Sequence, residues 1–183
     1  MSAGPNLPLI TCDEFFELPE PTRDFTYELH FGELVEVGRA KRKHFDLQSL
    51  IRDILVRILG LENWRIEIEM PYGLTPGYDA RAADIGVVDR ATWKAISPDG
   101  FLIGSPVLVV QVKSRSNRDR KMEQDAILHI THGAAAVLML KPERREIVMI
   151  TAASRTVYGP GQQIELPAPL SVSIPFDDVC AIE

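Results

Sequence analysis

Asp84, Gln111 and Lys113 are the residues of this 183-residue chain whose types and spacing offer hydrolytic chemistry. Val109 to Ser116 reads VVQVKSRS and follows the apolar PVLV, so an amide and an amine interrupt a stretch that otherwise suits a buried strand. Leaving a polar side chain without a partner in such a strand costs about 1–3 kcal/mol, so both residues need something to bind. Strand alternation directs Gln111 and Lys113 to one side, about 7 Å apart, with Val110 and Val112 on the other. RAADIGVVD sets Asp84 at the start of a second apolar strand. If the two strands are neighbours, a carboxylate, an amide and an ammonium converge at one sheet edge. Asp84 would then bind a hard divalent cation, and Gln111 would lend a carbonyl oxygen as a weak or indirect ligand. Lys113 would orient water or offset charge on a phosphorane.

Basic residues cluster in two places, GRAKRKH at Gly38 to His44 and SRSNRDRK directly after the strand, and either could hold a phosphate. In the second, Ser114, Arg115, Ser116 and Arg118 are candidates for gripping phosphate; the bland alternative is a solvated helix start. His129 and His132 lie three apart, a helical spacing that can bind metal, but no third ligand accompanies them. His44 reads as a helix-start residue. Glu67 and Glu69 alternate on WRIEIEM and are expected on its solvent face. Either could approach the cation only if that strand borders the one carrying Asp84.

The elements that must position these groups follow from periodicity. TCDE at Thr11 to Glu14 is a capping-box pattern ahead of a short helix through Phe15 and Phe16. FTYELHF and ELVEV, flanking Gly32, alternate as a hairpin. From His44 to Gly60, Leu47, Leu50, Ile51, Ile54, Leu55, Ile58 and Leu59 recur at helical spacing, and Gly60 supplies the stop. WRIEIEM is a strand, PYGLTPGYDA a loop, ADIGVVD a strand and ATWKAI a short helix. After PVLVVQVK, a helix from about Arg118 to Thr131 presents Met122, Ala126 and Ile130 on one face with Ile127 beside them. AAAVLMLK and EIVMITA make two strands joined at PERR, and short strands with a helical turn at FDDVCAI complete the tail. This order predicts an α/β fold with a mixed central sheet flanked by helices, forming one domain over 1–183 with an N-terminal arm at 1–24 and a C-terminal extension at 154–183.

Composition narrows the class. With 26 acidic against 20 basic residues the net charge is −6, which argues against a protein that coats nucleic acid through a global basic field. Cys12 and Cys180 stand at opposite ends in no metal-like spacing, and MSAGPNLPLIT lacks the order of a signal peptide, so the cytoplasm is the expected location. No apolar run reaches the roughly 20 residues that a membrane span needs.

The spacing of Asp84 and then Gln111-Val-Lys113 resembles the PD-(D/E)XK nuclease superfamily. More closely, YELHFGELVEV, the His44 helix, RAADIGVVD, PVLVVQVKSRS and the segment to HGAAAVLMLKPERREI resemble the Uma-type restriction-endonuclease-like family, over roughly Thr11 to Ile150. That resemblance implies a restriction-endonuclease-like fold and an Mg²⁺-dependent endonuclease, Mn²⁺ being the alternative ion, with DNA as substrate, RNA staying open, and a homodimer as the assembly. It also implies a role for Glu28, which matches an early acidic position and could be a further metal ligand. The chain departs from the family at three places: Gln111 stands where members have Glu, Lys113 where they have an apolar residue, and Asp125 near their helical lysine. An amide in place of an acid weakens cation binding, so the other reading is a nuclease fold kept as a catalytically inactive nucleic-acid-binding or protein-interaction module.

Overall fold

The computed structural model describes residues 9–19, 21, 24–39, 41–114 and 118–180. Its centre is a 7-stranded sheet. In chain order the elements begin with helix α1 (Cys12–Phe16) and the antiparallel hairpin β1 (Phe25–His30) and β2 (Glu33–Gly38). Helix α2 (Arg42–Leu59), β3 (Trp64–Gly73), β4 (Arg81–Asp89), α3 (Arg90–Ala95), β5 (Leu102–Ile103) and β6 (Leu108–Val112) follow. The second half holds α4 (Asp119–Thr131), β7 (Ala136–Lys141), β8 (Glu146–Ile150), β9 (Arg155–Tyr158), β10 (Gln163–Glu165), β11 (Ser173–Pro175) and α5 (Phe176–Val179). The large sheet runs β5-β3-β4-β6-β7-β8-β9. β6 and β7 are parallel and joined through α4, whereas β3, β4 and β6 pair antiparallel.

Both faces of the sheet are covered. On one, Leu47, Ile51, Ile54 and Leu55 of α2 pack on Ile85, Val87, Val110 and Val112, with Ile164, Ile174 and Phe176 of the C-terminal segment in the same cluster. On the other, Met122 and Ala126 of α4 meet Val109, Val137, Met139 and Met70. Burial on both faces explains why β6, β7 and β8 read as near-continuous apolar runs. The hairpin docks through reciprocal bonds between Leu29 and Ala80, at 2.8 and 2.9 Å. α1, with both halves of its capping box formed, packs Cys12 and Phe15 against Leu29 and Ala80.

Three local expectations are corrected. β3 continues through Pro71, Tyr72 and Gly73, where Pro and Gly predicted a loop, because Tyr72 fills the core and pairs with Arg81. β5 was not expected; its two residues pair beside Tyr72 and Gly73. On α4 the buried positions are Met122, Ala126 and His129, and Ile127 is exposed. The His129 ring, 1% exposed, accepts that place because both of its nitrogens are bonded, to Tyr72 Oη at 3.1 Å and Ser105 Oγ at 2.8 Å.

Candidate metal centre

Asp84 lies where β4 parts from β6, whose ladder runs from Val87↔Leu108 to Ile85↔Val110. Just past its end the Val112 N–H donates to Asp84 Oδ2 at 2.6 Å. On the other side of β4, β3 sets Ile68 opposite Ile85 and Met70 opposite Ala83, which leaves Glu69 beside Asp84. Glu69 has a left-handed backbone, φ 51°. This is uncommon for a residue with a side chain, and it changes which way the strand faces. Ile66 and Ile68 pack on the α2 side, Met70 and Tyr72 on the α4 side. The Glu69 carboxylate is thereby brought to α2, where Gln48 Nε2 donates to Glu69 Oε1 at 2.7 Å and to Asp84 Oδ1 at 3.2 Å. One turn earlier on α2, His44 Nε2 lies 3.0 Å from Asp84 Oδ1. One ligand atom each from His44, Glu69 and Asp84 fall within 4.8 Å of one another.

The electrostatics of this group are those of a place short of positive charge. Partial burial pushes the Glu69 carboxyl up, the hydrogen bond from Gln48 opposes that, and the Asp84 charge adds to it. The hydrogen bond to Asp84 raises His44, against the opposing effect of burial. Gln48 is fully buried, its Oε1 has no partner among the described residues, and its amide hydrogens are spent on the two carboxylates. Two carboxylates and one imidazole fit a divalent cation. The one nitrogen donor sets the group apart from an all-oxygen site.

The residues singled out in the sequence are distributed as follows. Asp84 is in the group. Lys113 is not bonded to it: its Nζ is ion-paired with Asp119 Oδ1 at the start of α4, and this lysine, first among several cations, holds the Asp119 carboxyl below the ordinary range. Asp119 Oδ2 also takes Arg144 at 2.9 Å and approaches Lys141 at 3.7 Å. Gln111 shares no bond with Asp84. Alternation along β6 sets it with Val109, toward α4, opposite Val110 and Val112, and its buried Oε1 lacks a partner among the described residues. Glu28 shares no bond with Asp84; its carboxylate meets His30 Nε2 at 2.6 Å and accepts from the Ala82 N–H at 3.1 Å. Of the expected convergence of Asp84, Gln111 and Lys113, only Asp84 is in the group with Glu69 and His44, while Glu28 lines the same cleft and its charge adds to the rise of Glu69. Ser114 lines the cleft described below, Arg118 is exposed at the N-terminal cap of α4, and Arg115 and Ser116 lie outside the described residues.

Glu69 carried one readable signal, since its strand does border that of Asp84. What the alternating pattern WRIEIEM hides is the backbone turn that separates it from Glu67, which pairs with Arg65 instead. His44 gave no signal by spacing. Its role depends on where the start of α2 docks over the sheet.

Asp84, Glu69 and His44 open into a cleft of about 1860 Å³, whose lining includes Lys113 and Lys141 and the exposed Arg39, Lys41 and Lys43. No helix among the described residues is long and apolar enough to cross a membrane.

A family model described as "Uma2: Putative restriction endonuclease" matches residues 12–177. No curated protein matches the chain. Among solved structures, the crystal structure of "a putative nuclease belonging to DUF820 from Anabaena variabilis ATCC 29413" superposes with a TM-score of 0.78 at 18% identity, covering 94% of this chain and 98% of that one. At that identity the likeness speaks for the fold, a mixed sheet with flanking helices.

Proposed function

Because the chain belongs to the Uma2 restriction-endonuclease family, we propose that it is a metal-dependent endonuclease that hydrolyses phosphodiester bonds in DNA. The observation that carries this reading is the group of His44, Glu69 and Asp84 in a cleft with exposed cationic side chains. The second carboxylate that Gln111 lacks is supplied across the sheet by Glu69, so the amide at Gln111 is compatible with activity. His44, Glu69 and Asp84 would hold Mg²⁺ or Mn²⁺. Bound there, such a cation would supply Lewis acidity toward a phosphate oxygen and make water more acidic.

The protein's own groups have distinct tasks in this reading. Gln48 fixes both carboxylates through one amide, and the Val112 N–H fixes Asp84 from the backbone. Lys113 lines the same cleft and would offset phosphate charge, positioned by Asp119. A homodimer, expected from the resemblance, would present two clefts, one for each strand.

Incubation with circular and single-stranded DNA in Mg²⁺ or Mn²⁺ tests this. The wild type should nick or degrade, and Asp84→Asn or Glu69→Gln should lower the rate at least 100-fold. A wild type that cuts neither substrate, or variants that match it, overturns the reading. The second reading, an inactive interaction module, draws on Gln111 and on the net charge of −6; inactivity together with retention of a nucleic acid or protein partner would favour it.

A further inference from the structure

We propose that the cleft takes an unpaired polynucleotide strand, its bases stacked on exposed phenylalanine rings and its phosphates on the cations beside them. This deepens the nuclease reading and rests on it. Phe16, at the end of α1, is 62% exposed, and Phe45, on the first turn of α2, is 46% exposed. Both line the same cleft as Asp84 and Glu69. Phe16 is held in place by edge and tilted contacts with Phe15 and Phe101, at centroid distances of 5.3 and 6.1 Å, and both of these rings also line the cleft. Phe15 and Phe101 are half-buried against the core, which leaves Phe16 and Phe45 as the two cleft phenylalanines with ring faces open to a ligand with an apolar face.

The charges narrow that ligand. Arg39, Lys41 and Lys43 are exposed in the cleft lining, and neither Lys41 nor Lys43 has an ion-pair partner among the described residues. Exposed rings and exposed cations lining one cleft suit a single strand, because every base offers a π-face and every linkage a phosphate; the acids in the same lining leave the cations of the Arg39–Lys43 rim as the phosphate contacts. In a duplex those faces are already stacked on each other, so the rings have nothing to meet without unpairing.

The test is equilibrium binding of fluorescein-labelled oligonucleotides in EDTA, where no hydrolysis occurs. A 20-nucleotide single strand, its duplex and an abasic strand of equal length are compared on wild type, Phe16→Ala and Phe45→Ala. The single strand should bind at least 10-fold tighter than the duplex. Each substitution should weaken the single strand by about 5- to 100-fold, and the abasic strand by less than 2-fold. Equal or tighter binding of the duplex overturns the inference, as does an equal loss on the abasic strand, which would mean that the rings only shape the cleft. Nicking of circular DNA by Mn²⁺-loaded wild type is scored separately. Cleavage without single-strand preference sinks this inference alone, and base-dependent binding without cleavage sinks the nuclease reading alone.

Discussion

At the scale of single residues, the distinction that matters is between Gln111 and Glu69. Strand position suggested the former as a ligand, and the geometry gathers the latter. Gln111→Glu is expected to leave Mn²⁺ affinity unchanged in calorimetry and to lower stability by about 1–3 kcal/mol in urea, because its Oε1 sits buried without a donor among the described residues. A gain in affinity would return Gln111 to the centre. Protons and cation also compete at the site. His44 is raised by its bond to Asp84 and Glu69 is raised by burial, so each gives up its proton at a higher pH than an isolated side chain would. Mn²⁺ affinity should therefore climb between pH 6 and 8 with release of protons, measurable by calorimetry in buffers of different ionisation enthalpy. A flat profile would argue that neither group is a ligand. Asp84 was legible from sequence as a carboxylate at the mouth of an apolar strand. Glu69 was legible only as one of a pair with Glu67, because nothing in its residue type announces the left-handed backbone that separates the two.

At the scale of elements, the helical period of α2 and the apolar runs of β6, β7 and β8 were readable because burial on a fixed face imposes them. The inward face of α4 holds Met122 and Ala126 with Ile130 packed beside them, as its period predicts, but His129 rather than Ile127 joins them, because polar residues enter a core when their bonds are met, and sequence shows no bonds. His129 is the case in point. Burial pushes its pKa down to about 4 from the ordinary 6.5, so the folded ring stays neutral while the unfolded chain takes up a proton below 6.5. Stability is thus full above pH 6.5 and declines as pH falls to about 4, by up to roughly 3 kcal/mol. Urea midpoints across that window should drop for the wild type and drop less for His129→Gln, with each compared to its own value at pH 7. Parallel curves would show that acid sensitivity arises elsewhere.

At the scale of the molecule, the chain is acidic by 6 overall and its cleft is lined by acids and bases alike, but the run Arg39, Lys41 and Lys43 gives one rim exposed positive charge. Three phosphate contacts on a single strand correspond to a slope of about −2 in log K against log salt. Removing Lys43 should flatten that slope by about 0.7 in a fluorescence titration; an unchanged slope would place the strand elsewhere.

The bond from Val112 to Asp84 Oδ2 bears on ion selection by the whole molecule. That oxygen already serves the backbone, and Glu69 Oε1 serves Gln48, so neither acid is poised to clasp an ion with both oxygens at once. Calcium favours 6–8 oxygen donors with bidentate carboxylates among them. The pocket should consequently turn calcium away even in millimolar excess, and a competition titration in which calcium displaced manganese would show that these oxygens let go of their partners more readily than the bonding pattern implies.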